Sequence, residues 1–216
     1  MILTLGHTKG GVGKSTLALN IAIERLRAGA DVLLIDGDPR QASVSRAIGV
    51  RAESGITPSL PCVVLEDAKS LRQQVSLLRE KYDDLVIDVG GKDSGLLRAA
   101  LTVTDALLLP VAPESVEVWA LDDVDALIDE ARAIRDFRVL AVLNRAKPAG
   151  RDNDDTLAAI RDYPGIEVVP ATIGGRTTFS SAFGRGQSVA EYRPRNAKAV
   201  EELAALMRAI YPGETT

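Results

Sequence analysis

Short apolar runs alternate along the chain with longer segments in which apolar residues recur every three or four positions. Short continuous apolar runs are typical of buried strands, and the longer spacing is typical of helices that bury one face. The strand candidates are residues 2–5, 32–35, 85–87, 106–109 and 139–143, with weaker candidates at 62–65 and 167–169.

Several of these runs are apolar on both faces, which is expected of parallel strands covered by helices on either side. The alternation with helical patterns predicts an α/β fold with a doubly wound, mostly parallel sheet flanked by helices. No linker or repeat interrupts it, so we expect a single domain over residues 1–216. Two helical segments carry apolar stripes predicted to pack in the core: Val118, Leu121, Val124, Leu127, Ile128, Ala131 and Ile134 in the first, and Val200, Leu203, Leu206, Met207 and Ile210 in the second.

Composition narrows the possible chemistry. A chain of 216 residues with 46% hydrophobic and 26% charged residues can bury a sizeable core. One cysteine, Cys62, excludes an internal disulfide and a cysteine-ligated cluster, and we expect it to be buried and unreactive. One histidine, His7, excludes histidine-cluster metal sites and argues against a Ser-His-Asp triad. Without a leader or an 18-residue apolar run, we expect a soluble cytoplasmic protein.

The stretch HTKGGVGKST, residues 7–16, lies between the first strand and a helical pattern. In an open parallel sheet, ligands bind at the carboxyl ends of the strands. The glycines of this stretch let the backbone amides point inward, and the following helix adds its positive amino-terminal end, which together predict a phosphate site. Lys14 would neutralise the β and γ phosphates, and the Ser15 hydroxyl would ligate Mg²⁺.

Two other predicted strands end in carboxylates. The segment VLLIDGDPR presents Asp36 and Asp38, and LVIDVGG presents Asp88 followed by Gly90 and Gly91. Beside a magnesium triphosphate, one carboxylate can hold metal-bound water and another can orient the attacking water. The glycine pair would leave space for the γ-phosphate. A structural aspartate that caps the next helix is the alternative for Asp88.

The phosphate loop departs from the GxxxxGK[ST] pattern, because Thr8 stands where glycine is required and Lys9 precedes the glycine pair. KGGVGKST resembles the deviant Walker A loop, KGGxGK[ST], of the ParA/MinD group of P-loop ATPases. The resemblance implies that Lys9 reaches across a dimer interface to the partner's nucleotide, and a solvated surface lysine is the alternative. It also implies metal-water contact by Asp36 and water activation by Asp38. The implied catalytic residues are Lys9, Lys14 and Asp38, the metal ligands are Ser15, Asp36 and Asp88, and the phosphate contacts are Lys9, Gly10, Gly11, Val12, Gly13, Lys14, Ser15 and Thr16.

The base is expected to be adenine. After residues 139–143 comes NRAK, where GTPases carry NKxD with an aspartate that binds guanine, and no aspartate follows here. The resemblance implies that Asn144 and Pro170 contact adenine instead.

Charge is unevenly distributed. The net charge is −4, but residues 1–137 hold 15 Lys+Arg against 21 Asp+Glu, whereas residues 138–216 hold 11 against 9. No aromatic residues of an RNA-binding kind interleave with the basic cluster, so DNA contact would involve phosphates alone. A solvated surface is the alternative. The cluster comprises Arg176, Arg185, Arg193, Arg195 and Lys198.

The segment TTFSSAFGRGQSVAEYRPRNAKAVEELAALMRAI is similar to the carboxyl-terminal part of ParA-type partition ATPases, so the similarity covers residues 1–210. It implies an ATP-dependent homodimer that binds DNA nonspecifically at the nucleoid. We expect slow intrinsic hydrolysis of ATP, because no arginine of the chain is obviously positioned as a finger. A ParB-like or small ribbon-helix-helix adaptor would stimulate hydrolysis. Because the first strand starts at residue 2, we expect no amino-terminal helix-turn-helix extension.

Proteins of the same fold that have other functions need other sequence features. A MinD-like membrane-cycling ATPase needs a basic amphipathic tail, whereas this chain ends MRAIYPGETT. A nitrogenase-type iron protein needs bridging cysteines, and a tyrosine autokinase a tyrosine-rich tail. An ATPase that positions a protein cargo on the nucleoid remains open, as does Trp119, which fits either the core or a partner surface.

Overall fold

The fold is a seven-stranded, all-parallel sheet with the order β3-β2-β4-β1-β5-β6-β7. It is taken from a computed structural model that describes residues 1–91, 94–113 and 115–213, except for the side chains of 94 and 115–120. The strands are β1 (Ile2–Leu5), β2 (Val32–Gly37), β3 (Cys62–Val64), β4 (Asp84–Val89), β5 (Ala106–Val111), β6 (Arg138–Ala146) and β7 (Glu167–Gly174).

Helices cover both faces of the sheet, so the predicted doubly wound α/β architecture is confirmed. Strands β2, β4, β5 and β6 contribute alternate side chains to two separate apolar clusters, which explains their apolar runs. One face carries α1 (Lys14–Arg27), α2 (Ser43–Glu53), α7 (Thr177–Phe183) and α8 (Ala197–Ile210); the other carries α3 (Ala68–Leu78), α4 (Ser94–Leu101), α5 (Ser115–Arg132) and α6 (Asp152–Arg161).

Several predicted element boundaries need correction. Strands β2 and β4 continue to Gly37 and Val89, so Asp36 and Asp88 lie within the strands rather than at their ends. Strand β7 continues past its predicted end to Gly174. Ile134 is 71% exposed, because α5 ends at Arg132 and the apolar stripe stops with it. The side chains of Val118 and Trp119 lie outside the described residues.

Cys62 is half-buried in β3, not fully buried as expected. Burial raises the pKa of its thiol to about 12, and the nearby Asp36 and Asp88 carboxylates act in the same direction. The thiol therefore stays protonated at neutral pH, which agrees with the expected low reactivity. Separately, no helix within the described ranges has both the length and the apolar character needed to cross a bilayer.

A buried arginine joins α2 to the segment between α7 and α8. Arg51, only 1% exposed, donates to the main-chain oxygens of Pro58 and Gly186 and makes a two-pronged ion pair with Glu191. Glu191 also accepts a hydrogen bond from the Ser188 amide. Removing one member of such a pair leaves the other charge buried without compensation, so the pair holds this segment in place.

We expect Arg51→Met to lower the free energy of unfolding by about 3 kcal/mol, because three acceptors in a partly buried setting lose the buried guanidinium that donates to them. Urea denaturation monitored by circular dichroism measures the change. The matched control is Arg98→Met, which removes an exposed arginine paired with Glu130 and should cost under about 1 kcal/mol. Equal losses for the two variants would contradict the assigned role of Arg51.

Candidate nucleotide-binding site

The three predicted loops meet at one edge of the sheet. Strand β4 lies between β2 and β1, and Asp88 stands opposite both Asp36 and Leu5. Since all strands are parallel, the loops that leave β1, β2 and β4 emerge side by side. The phosphate loop therefore faces the carboxylates that the sequence assigned to magnesium and water.

The phosphate loop, residues 7–16, turns directly into α1 at Lys14. Gly13 has a φ of 96°, and a β-carbon there would overlap the Asn144 amide, so only glycine fits. Lys14 is buried, and its ammonium group donates to the main-chain oxygen of Lys9 at 2.7 Å. In this structure the second lysine of the motif is thus folded back onto its own loop.

Two neighbouring side chains from β6 contact the phosphate loop. The Asn144 amide nitrogen donates to the Val12 oxygen at 2.6 Å, and the Arg145 guanidinium donates to the Gly11 oxygen at 2.9 Å. Asn144, predicted for adenine, therefore uses its amide on the loop, although it also lines the adjoining cavity. The sequence contained no sign of the Arg145 contact.

The Asp36 carboxylate is fully buried and both of its oxygens are used locally. One accepts from the Asp38 amide and the other from the Ser45 amide in the first turn of α2, each at 3.0 Å. Asp38 lies in the turn that follows β2, and its own carboxylate accepts from the Gln41 amide at 3.2 Å. Asp36 therefore shapes the turn that presents Asp38.

Asp88 is buried and hydrogen-bonded to the Ser15 hydroxyl. Burial raises the pKa of its carboxyl group, as do the charges of Asp36 and Asp38, while Ser15 and Lys14 oppose the rise. Its Oδ1 has no hydrogen-bond partner among the described residues.

An unfilled acceptor beside a serine hydroxyl fits the Mg²⁺ predicted there. Across the same described ranges, no three His, Cys, Asp or Glu side chains gather into a metal site. Beside nucleotides, phosphates and waters supply most of the ligands of Mg²⁺.

The glycines after β4 allow the loops to touch. A β-carbon on Gly91 would overlap the main chain of Lys9, and one on Gly90 would lie 2.7 Å from Oδ2 of Asp38. The sequence related this pair only to space for a phosphate. The structure shows that the pair also permits contact between the loops.

His7 belongs to the site. In the sequence, this single histidine served only as an argument against histidine-cluster metal sites and a Ser-His-Asp triad. Its ring is fully buried, and Nδ1 accepts the Lys9 amide hydrogen at 3.1 Å. Burial, helped by the charges of Lys14 and Lys9, lowers the pKa of the imidazole to about 4. The ring is therefore neutral at physiological pH. The only feature of the sequence that could have indicated this contact is that His7 lies two residues before Lys9.

A cavity of about 510 Å³ adjoins the phosphate loop, which is within the range of small-molecule sites. Pro170, predicted for adenine, is not among its lining residues. It lies exposed within β7, whose carboxyl end at Gly174 lines the cavity instead. The lining comprises Gly11, Gly13, Thr16, Leu17, Ala112, Pro113, Asn144, Arg145, Lys147, Gly174, Gly175, Arg176, Thr177, Phe179 and Ser180.

The five predicted DNA contacts divide into two groups. Arg176 is half-buried, makes a two-pronged ion pair with Glu202, and lines the cavity. The other four, Arg185, Arg193, Arg195 and Lys198, are exposed on the segment from α7 to the start of α8.

The fold and site define a P-loop ATPase of the ParA/MinD type. The chain belongs to the MipZ ATPase family, because the family model described as "ATPase MipZ" matches residues 1–154. As an ATPase, it takes ATP as its nucleotide. The resemblance seen in KGGVGKST is confirmed.

Named relatives extend over almost the whole chain. A ParA protein of Rhizobium radiobacter is 24% identical over 97% of this chain and 96% of its own. The maintenance of carboxysome distribution protein A of Halothiobacillus neapolitanus has the same identity and coverage. Among solved structures, a Cyanothece McdA–ATP complex aligns with TM-score 0.79 at 17% identity, covering 100% of this chain and 98% of that one. MinD of Pyrococcus horikoshii with Mg-ADP aligns with TM-score 0.78 at 19% identity, covering 98% and 96%.

His7 should remain unprotonated in the folded protein until the pH approaches 4. Because the unfolded chain binds this proton near pH 6.5, stability from His7 is complete above pH 6.5 and is lost as the pH falls to about 4, by roughly 3 kcal/mol. The only imidazole in the chain gives one proton NMR signal that can be titrated. The control is the same titration in urea, with a midpoint near 6.5; a folded-state midpoint there would refute the burial argument.

Proposed function

We propose that this ATPase is a nucleotide-controlled switch for DNA segregation. ATP pairs two copies in a sandwich around two nucleotides, and the pair binds DNA without sequence preference. A ParB-like or small ribbon-helix-helix adaptor stimulates hydrolysis, and the subunits separate and leave the DNA. The observation that carries the proposal is the close packing of Gly91 on the Lys9 main chain and of Gly90 on the Asp38 carboxylate. This packing brings Lys9 and Asp38 together at the same edge of the sheet.

The phosphate loop binds the triphosphate through inward-pointing amides and the start of α1. Lys14 leaves the Lys9 oxygen and pairs with the β and γ phosphates. Ser15, Asp36 and Asp88 would hold Mg²⁺, directly or through water. When bound, the ion offsets negative charge on the phosphate oxygens.

Lys9 acts on the nucleotide of the partner copy, and Asp38 acts on the attacking water. The Lys9 main chain is held at its amide by His7, a contact that remains when Lys14 moves to the phosphates, so the Lys9 side chain starts from a defined point. In the pair, its ammonium group neutralises phosphates bound to the other copy. Asp38 orients the attacking water and receives its proton, from a turn that Asp36 holds.

A second cargo class is favoured by one comparison. The Halothiobacillus relative is named for carboxysome distribution, whereas other relatives are named ParA and chromosome-partitioning ATPase Soj. The same ATP cycle on the nucleoid can position a protein cargo instead of DNA. Because the cycle is common to both candidates, variants of the site affect either one in the same way.

We expect Lys9→Ala to abolish ATP-dependent pairing, because the partner's phosphates lose a cation. Asp38→Ala should still pair with ATP, while hydrolysis falls about 100-fold through loss of the water-orienting carboxylate. Light scattering after size exclusion, with ATP and with ADP, measures the first effect and phosphate release the second. Lys69→Ala, an exposed lysine on α3, is the control. Pairing by Lys9→Ala equal to wild type would remove the basis of the proposal.

DNA retention should depend on the exposed arginines. In the double variant Arg193→Ala/Arg195→Ala, the slope of log affinity against log salt should shrink by about 0.9 for each DNA phosphate that is no longer neutralised. ATP-dependent pairing should remain intact. The control is Arg72→Ala, an exposed arginine on α3. If the double variant and the control bind DNA alike, the DNA-binding surface lies elsewhere.

A further inference from the structure

Arg145 has an unusual main-chain conformation. Its φ is 57°, which is rare for a residue with a side chain. It lies where the pairing of β6 with β7 shifts register, between Leu143 and Ala146. Such irregularities bend a strand and redirect side chains, and they are frequent beside active sites.

The redirected side chain reaches the same target as its neighbour. In a regular strand, consecutive side chains point to opposite faces. Here Asn144 and Arg145, although consecutive, both donate to the phosphate loop, at the oxygens of Val12 and Gly11 respectively. The irregular backbone at Arg145 is what allows the second contact.

These contacts set the direction of the neighbouring amides. In a planar trans peptide, the carbonyl of one residue and the N–H of the next point in opposite directions. Holding the Gly11 oxygen therefore fixes the direction of the Val12 N–H, and holding the Val12 oxygen does the same for the Gly13 N–H. Both donors are then oriented before a phosphate binds.

We propose that Arg145 is a positioning residue that, together with Asn144, pre-orients the phosphate loop for ATP. Fixing the amides before binding removes an ordering cost that the nucleotide would otherwise meet. The inference deepens the nucleotide site and rests on the proposed function for it. It concerns Arg145 in particular, because this exposed residue keeps a strained conformation to make the contact.

General attraction between positive charge and ATP is the competing explanation. Lys147, two residues further on, lines the same cavity and is paired with Asp152. Lys147→Ala therefore removes one positive charge from the same wall without touching the Gly11 carbonyl. Attraction by charge alone weakens as salt screens it, whereas an orienting contact persists.

The test compares Arg145→Ala, Arg145→Gly, Arg145→Lys and Lys147→Ala with wild type. Glycine accommodates the backbone without strain, so Arg145→Gly separates the loss of the side chain from misfolding. Fluorescence titration with a labelled ATP analogue at low and high salt measures affinity. Hydrogen–deuterium exchange of the phosphate-loop peptide, without nucleotide, measures its order.

Arg145→Ala and Arg145→Gly should bind about tenfold more weakly at both salt concentrations, as expected when one hydrogen bond from a charged donor is removed. Their phosphate-loop peptide should exchange faster, and Arg145→Lys should recover part of both effects. Lys147→Ala should weaken binding at low salt, and this loss should shrink as salt rises, because it removes only a screened charge. If wild type binds and Arg145→Ala matches Lys147→Ala, this inference alone is overturned. Failure of wild type to bind the analogue would overturn the proposed function as well.

Discussion

A phosphate-binding loop must present its amides in fixed directions, so its backbone has to be restrained by neighbouring groups. Before ATP binds, the Lys9 amide donates to His7, Lys14 donates to the Lys9 oxygen, and two β6 side chains donate to the oxygens at 11 and 12. The parallel sheet supplies the geometry, because β1 and β6 end on the same side. The rest of the site depends on this restrained loop.

Features that depend on neighbouring positions in the chain were predicted well from the sequence. The limits of β1 match the sequence pattern, α8 contains the predicted apolar positions, and the glycine requirement at position 13 follows from the motif. Strand ends were less predictable, since Asp36 and Asp88 belong to strands held by pairing on both sides. Pro170 lies in β7, at the edge of the sheet, where a residue without an amide hydrogen is tolerated and the strand continues past it.

Distant contacts were beyond the sequence. Asn144 and Arg145 are more than 130 residues away from the loop they contact, so no spacing rule could reveal their targets. A count of charged residues likewise cannot show which charges in and near the basic cluster are paired with distant residues. Arg176 is neutralised by Glu202 on α8, and Glu191 by Arg51 on α2, so neither contributes a bare charge as the sequence total assumes.

The glycine after β4 has a consequence for variation in this chain. Because any β-carbon at position 91 would overlap the Lys9 main chain, even alanine there would force two loops apart. Position 90 has almost as little room beside Asp38. Attempts to redesign nucleotide preference or turnover by randomising this loop would therefore lose most library members at these two sites.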